Sequence, residues 1–398
     1  MNGFVITLIV LSVILIWLRL DFKLGLRKQK SEAKRYDQKM RYSHVQLLPT
    51  GDEFFKNMFA DIQQAEDHIH LLFYIVREDH IGSKLIRILE QKAKEGVTVR
   101  FLIDRFGCHL SRKTIKGLRK AGVHFAYSHP VQLPYIFFML NRRNHRKLVI
   151  TDGRIGYIGG YNVGDEYLGR DPKFGTWRDF HLRIDGDGVQ DLQEQFLEDW
   201  QTAKQRYVVK DSHYPPLKKG DTPLRILPTD GAFLEDTFID LVNDAKHTVT
   251  IGTPYFIPGD ALKAALIDAA KRGVDVRLIV PKNGDHPLVK EAAFPYFKDI
   301  IESGVNIYQY YRGFFHAKAI VIDEKMCDVG TANFDKRSFH INHEINCLIY
   351  DTTFVNTLLK ELEHDISISE RLTLEALEKR PLTQRGKEKI ATLVSGLL

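Results

Sequence analysis

Cysteine is scarce in this chain: Cys108, Cys327 and Cys347 are the only three in 398 residues. They form neither a CxxC pair nor an evenly spaced series, which argues against a disulfide scaffold or a cysteine-based zinc module. With 44% hydrophobic and 27% charged residues, the composition is that of a folded globular protein. A disordered, collagenous or polytopic membrane chain is excluded. A large charge imbalance is also lacking, since 57 Lys and Arg face 51 Asp and Glu, a net +6. The length exceeds what one hydrophobic core usually serves, so two domains or two similar halves are expected.

The N-terminus holds most of that excess charge. From Phe4 to Leu18 every residue is apolar except Thr7 and Ser12, and Trp17 lies at the end of the run. As a helix this run is roughly 23 Å long, short of a hydrocarbon core of about 30 Å. Leu20 and a snorkelling Arg19 can cover the difference. A cleaved signal peptide is the rival reading, but there is no basic stretch before the run and no A-x-A-like site after it. Arg19, Lys23, Arg27, Lys28, Lys30, Lys34 and Arg35 follow, against only Asp21 and Glu32. These seven bases and two acids carry +5 of the +6. The positive-inside bias therefore predicts a single-pass anchor over 1–20, a basic stem over 21–40 and a cytoplasmic body. The body is almost neutral, which weighs against nucleic acid as a partner.

That body repeats itself. AKEGVTVRFLID (93–104) returns as AKRGVDVRLIVP (270–281), and AGVHFAYS (121–128) as SGVNIYQY (303–310). QQAEDHIHLLFYIV (63–76) parallels VNDAKHTVTIGTPYFI (242–257), and NHRKLVITD (144–152) parallels FHAKAIVID (315–323). Each half reads helix, apolar strand, helix, strand, hairpin, an α/β layered pattern. The halves are expected over 41–207 and 224–398, joined by a polar, proline-bearing linker over 208–223.

The last repeated pair carries chemistry. His145 and Lys147, like His316 and Lys318, are two residues apart and share a face if extended. Asp152 and Asp323 follow each His by seven residues, and parity puts them on the opposite face, suited to holding a turn. Asp152-Gly153 is a hairpin signal. Gly159, Gly160 and Asn162 follow in one half, Gly330 and Asn333 in the other. Such turns let backbone N–H groups approach a phosphate, and a helix starting at the Asn would aim its dipole there. A lone HxK is an unremarkable exposed pair; two copies with identical internal spacing are not.

The duplicated HxKxxxxD followed by GxxN resembles the phospholipase D superfamily. GGYNVGDEYLG (159–169), TWRDFHLRIDG (176–186) and GTANFDKRSFHINHEIN (330–346) are similar to segments of bacterial cardiolipin synthases of the short type with one N-terminal anchor. The resemblance covers everything after the stem. One departure is Gly160, where many relatives carry Ser. The resemblance implies two phospholipase D-like α-β-α halves related by a pseudo-twofold axis, with central mixed sheets. It implies a catalytic set of His145, Lys147, Asp152, His316, Lys318 and Asp323. In that reading His145 is the nucleophile and His316 the acid/base. Lys147, Lys318, Asn162 and Asn333 would cradle the phosphoryl oxygens, with no metal or other cofactor. Asp179 and Glu344, which begin strand-like runs 34 and 28 residues after His145 and His316, would orient the histidines; a structural ion pair is the alternative.

The implied substrate is phosphatidylglycerol in an anionic membrane, two molecules giving cardiolipin and glycerol through a phosphatidyl-histidine. Water as acceptor, giving phosphatidic acid, cannot be separated from a lipid alcohol by these residues, and a silent lipid-binding protein is disfavoured by the intact motifs. LPYIFFML (133–140), directly before the first motif, is expected either to dip into the bilayer interface through Phe137 and Phe138 or to be buried. Ile390, Leu393, Val394, Leu397 and Leu398 fall at helical spacing, predicting a final helix packed on the body.

Overall fold

The computed structural model describes residues 3–35, 39–131, 133–286 and 288–396, apart from the side chains of Leu382, Leu393 and Val394. A single helix, α1 (Gly3–Glu32), comes first. The first half then lays down β1 (Arg41–Leu48), α2 (Gly51–Gln64), β2 (His68–Phe73), α3 (His80–Lys94), β3 (Thr98–Asp104), α4 (Arg112–Lys120) and β4 (His124–Ser128). It continues with α5 (Ile136–Asn141), the hairpin β5 (Leu148–Thr151) and β6 (Ile155–Gly159), β7 (His181–Gly186) and α6 (Val189–Lys204). The second half repeats the plan with β8 (Thr222–Asp230), α7 (Leu234–Asp244), β9 (Thr248–Gly252), α8 (Gly259–Lys271), β10 (Asp275–Pro281), α9 (Val289–Glu302) and β11 (Asn306–Tyr310). The hairpin β12 (Ala319–Ile322) and β13 (Met326–Gly330), α10 (Lys336–His340), β14 (His343–Ile349) and α11 (Thr352–Ser367) complete it. A short β15 (Ser369–Arg371), α12 (Leu374–Glu378) and α13 (Leu382–Val394) follow.

The two expected sheets are one. Strand order is β15-β11-β10-β9-β12-β13-β14-β8-β1-β7-β6-β5-β2-β3-β4. Reading outward from the β8–β1 junction, each of the seven strands of the first half meets its counterpart in the second, as the pseudo-twofold reading requires, and β15 is an addition at one edge. The junction itself is short, Arg41–Ser43 lying antiparallel to Thr222–Leu224. Central strands such as β2, β5 and β12 are buried along their whole length. That explains the apolar runs of β5 and β12, since helices cover both sheet faces. Helices α2, α3 and α4 cover one face of the first half, and α7, α8 and α9 cover that of the second. On the opposite face α6 and α11 share one core, in which Phe196, Trp200, Phe354 and Leu358 join residues of both halves. The predicted linker is tied down: His213 is buried against the rings of His68 and His70, and β8 already starts at Thr222.

Helix α1 runs through anchor and stem without a break. Its first part is exposed and apolar, and it is the one described helix long and apolar enough to cross a membrane. Beyond it, Asp21, Gly25 and Gln29, one helical stripe, are buried against the body. Asp21 accepts from the Phe138 backbone N–H at 2.8 Å, and Gln29 Nε2 donates to the carbonyls of His340 and Ile341 at 3.2 Å each. The predicted stem thus rests on α5 of one half and on the end of α10 of the other. Of the two readings of 133–140, burial holds: Phe138 is 2% exposed, packed on Gly25 and Phe22, and Phe137 also packs on Phe22. The exposed apolar residues of that stretch are Leu133 and Leu140. In α13, Ala391 is buried and Ile390 is 56% exposed, the reverse of the predicted face for Ile390. Leu397 and Leu398 and the side chains of Leu393 and Val394 lie outside the described residues.

Asp152 and Asp323 sit at the hairpin turns with left-handed φ of 53° and 50°. Asp152 accepts from the backbone N–H groups of Glu66, Asp67 and His68, and Asp323 from those of Lys246, His247 and Thr248, at 2.7–2.9 Å. Each therefore ties its hairpin to the start of the neighbouring central strand. Neither carboxylate lines the cavity below, so their place in the expected catalytic set is corrected to a structural one. Two outcomes follow. Asp323→Ala strips three N–H groups of their acceptor and should cost about 1–3 kcal/mol in denaturant unfolding, with turnover per folded molecule retained. Gly25→Leu, whose Cβ would lie 2.5 Å from the Phe138 ring, should free the stem and speed proteolysis between residues 21 and 40.

Candidate active site

Each candidate histidine stands in an extended lead-in just before its hairpin, not on the strand itself. The backbone decides its place: His145 N–H bonds to the carbonyl of His343 at 2.9 Å, and His316 N–H to the carbonyl of Arg178 at 2.7 Å. Those two carbonyls belong to the residues immediately before Glu344 and Asp179. The ring follows the backbone across the molecule. His145 Nδ1 lies 2.9 and 3.0 Å from the two oxygens of Glu344, and His316 Nδ1 lies 2.5 Å from Asp179. Counting from the sequence set each acid beside the histidine of its own half; the structure exchanges them. An ionised carboxylate can only accept, so each Nδ1 carries the proton and each Nε2 presents a lone pair.

Both acids are fully buried. Although burial pushes the Glu344 carboxyl up, His145 and Lys147 hold it below the usual range. Lys318 and His316 do the same for Asp179. Glu344 is further fixed by the hydroxyls of Thr331 at 2.6 Å and Ser338 at 2.8 Å. Thr331 occupies the position equivalent to Gly160, which explains the sequence departure. A Cβ at Gly160 would fall 2.0 Å from the Asp179 carboxylate, so this half has no room for a hydroxyl there. Burial lowers both imidazoles to about 4, against the pull of their carboxylates, so both are neutral at pH 7.

The lysines stand deeper than the histidines. Both are buried and outside the cavity lining, with Lys147 Nζ donating to the His145 carbonyl at 2.8 Å and Lys318 Nζ to that of His316. Lys318 Nζ also lies 2.7 Å from His316 Nδ1 and 3.6 Å from Asp179; with Nδ1 donating to Asp179, the first is a close approach, not a second bond. Burial lowers Lys147 to about 7 and Lys318 to about 8.

A cavity of about 680 Å³ lies between the halves, and His145, His316, Asn162 and Asn333 all line it. Asn162 Oδ1 accepts from the Ile75 N–H at 3.0 Å, and Asn333 Nδ2 donates to Asp335 at 3.2 Å. No helix starts at either asparagine. α10 begins after Asp335, which caps it through the Ser338 N–H, and the first half has only a short 3-10 turn there. The walls are aromatic and basic. Tyr74 packs edge-on to His145 at 5.0 Å and Trp177 lies 4.9 Å from His316, while Arg143 and Arg337 stand on the same wall. Sequence reasoning did not single out Tyr74 and Tyr255, although they hold equivalent places in the repeated pair 63–76 and 242–257. Trp177 and the Arg pair had no signal beyond proximity to the motifs.

A duplicated α/β half that contributes one carboxylate-oriented histidine from each copy to one cavity defines a phospholipase D-type phosphodiester site. The comparisons with known proteins sharpen this. A family model described as "Cardiolipin synthase, PLD-like domain" matches residues 58–200 and 238–366. Minor cardiolipin synthase ClsB of Bacillus subtilis (strain 168) is 39% identical over 399 residues, spanning 100% of both chains. Major cardiolipin synthase ClsA of the same organism is 42% identical over 362 residues, 89% of this chain and 75% of that one. The crystal structure of phosphatidylserine synthase from Haemophilus influenzae Rd KW20 shares the fold, with a TM-score of 0.69 at 16% identity over 95% of this chain and 100% of that one. The chain belongs to the cardiolipin synthase family and is a phosphatidyltransferase of the phospholipase D type.

The depressed imidazoles have a measurable consequence. Below pH 6.5 an unfolded histidine binds a proton that the folded one, at about 4, refuses, so stability falls as pH drops from 6.5 towards 4. At pH 5 each imidazole should cost about 2 kcal/mol relative to neutral pH. Unfolding followed from pH 7 to 5 should therefore be steeper for the native chain than for a His145→Gln, His316→Gln double variant. Parallel curves would contradict the shift.

Proposed function

We propose that the chain moves a phosphatidyl group from one phosphatidylglycerol to another, giving cardiolipin and glycerol. The observation that carries this reading is the pair of neutral imidazoles, one from each half, turned into a common cavity by carboxylates on their far side. His145 Nε2 attacks the phosphorus of the donor, and the P–O bond to its terminal glycerol breaks. His316, protonated beside the bound phosphodiester whose negative charge favours the imidazolium, gives that proton to the leaving glycerol oxygen. The phosphatidyl group is then held on His145 through a P–N bond. Neutral His316 takes the proton from the hydroxyl of the second phosphatidylglycerol as its oxygen attacks phosphorus. The P–N bond breaks, and both histidines return to their starting state once His316 passes its proton on.

Asp179 and Glu344 act as positioning residues, keeping each Nδ1 protonated and each Nε2 turned to the substrate. Asn162 and Asn333 hold the phosphoryl oxygens from the cavity wall. Lys147 and Lys318 supply positive potential from beneath, which counts most in a site of low dielectric. Helix α1 crosses the cell membrane once with the body on the cytoplasmic side, as the bases after its apolar part favour. Its docking on α5, only a few residues before His145, holds the cavity close to the surface that presents anionic lipids. A water acceptor at the same site would make the enzyme a phospholipase D releasing phosphatidic acid.

Headgroup-labelled and acyl-labelled phosphatidylglycerol in vesicles with the full chain separates these outcomes. Cardiolipin with free glycerol is expected, whereas phosphatidic acid as the main product would replace the transferase reading with the hydrolase. His145→Ala and His316→Ala should each lower kcat by at least about 10³-fold. Rapid quenching followed by peptide mapping should find the phosphatidyl adduct on His145; an adduct on His316 would reverse the two roles.

A further inference from the structure

Below the catalytic pair, at the seam between the halves, three side chains from distant parts of the chain converge. They are His129 just after β4, Asp199 on α6 and His343 at the start of β14. One ligating atom of each lies within 4.8 Å of the others. His129 and Asp199 are 7% and 6% exposed, and the His343 side chain 13%. Among the described residues, both ring nitrogens of His129, Nε2 of His343 and Oδ2 of Asp199 have no hydrogen-bond partner. Four unpaired polar atoms buried in one spot are costly, and buried polar groups are normally satisfied.

Their remaining atoms are held as metal ligands commonly are. His343 Nδ1 lies 3.0 Å from Asp230 Oδ1, which fixes the tautomer that offers Nε2. The second oxygen of Asp199, Oδ1, accepts from Arg146 at 2.7 Å. At the pseudo-twofold place Arg178, directly before the acid of its strand as His343 is here, is satisfied within the protein, its Nε meeting both oxygens of Asp365 at 2.9 Å.

We propose that His129, Asp199 and His343 form a structural divalent-metal site whose two imidazoles and one carboxylate suit Zn²⁺. Two nitrogens and one oxygen match its preferences, with a water able to complete a tetrahedron. Metal bonds of about 2.1 Å set ligands about 3.4 Å apart, so the side chains close inward on binding. The site joins half 1, through His129 and Asp199, to half 2, through His343. Its mechanical reach includes the chemistry, because the His343 carbonyl holds the His145 N–H and the next residue is Glu344. The metal takes no part in phosphoryl transfer, and the site stands or falls independently of the substrate.

The test is metal content of the full-length chain, purified in detergent without a histidine tag and equilibrated with Zn²⁺ before gel filtration. About one zinc per chain is expected by elemental analysis, falling at least tenfold in His129→Phe and in His343→Phe. A chelator should lower the Tm of the native chain and leave that of His129→Phe unchanged. Replacement by Co²⁺ should give the visible absorption of a tetrahedral site. Equal zinc in the native chain and both variants, or none in any, would overturn the proposal. Asp199→Asn, which keeps the shape and loses the charge, serves if either His variant fails to fold.

Discussion

Each reactive histidine is held by the half to which it does not belong. The carbonyl before Glu344 takes the His145 backbone N–H and Glu344 takes the ring, while Arg178 and Asp179 do the same for His316. A half folded alone would therefore have a histidine with no acceptor and a buried carboxylate without the imidazole and lysine that keep it charged. Burying an unpaired carboxylate is expensive, and the exchange removes that cost only when both halves are present. The shared core under α6 and α11 and the unbroken sheet through β8 and β1 serve this requirement. They hold the two exchanges in register, so that both Nε2 atoms reach the same cavity.

The same crossing governs the electrostatics. Two carboxylates, two ammonium groups and two imidazoles are buried together, and the acids keep their charge because the bases lie close. That leaves the imidazoles neutral, the state a nucleophile needs, with the proton on the nitrogen that faces away from substrate. The two sides are not identical. Glu344 is held by two hydroxyls and Asp179 by the nearer lysine, with Gly160 bare to make room for it. Helix α1 adds a constraint from outside, since its buried stripe touches both α5 and the end of α10 and so ties this helix to both halves.

Much of this was legible in the residues. The repeated segments gave the two halves, their strand order and the hairpins, because the same apolar spacing builds the same layer twice. The HxK pairs and the Gly-Asn turns marked the cavity, and parity set Asp152 and Asp323 aside as turn holders. The gaps share a cause. Whether Phe137 and Phe138 were buried stayed open because their partner is a helix more than a hundred residues earlier. The packing of His213 on His68 and His70 left no mark in the polar, proline-bearing linker. The metal-like triad of His129, Asp199 and His343 left no signal, its members being far apart with no ligand spacing between them.

What the sequence determined by itself is therefore local: where the elements start and stop, that the pattern occurs twice, and which side chains carry reactive groups. Those depend on propensity, periodicity and spacing, which act over a few residues. Which carboxylate serves which histidine, how deep the lysines lie, and what the stem rests on were decided by the tertiary structure. Two copies of one pattern can pair their acids within or between halves with no difference in spacing. Only the packing of the halves, which brings residues 137 and 199 positions apart into hydrogen-bond distance, selects the exchange.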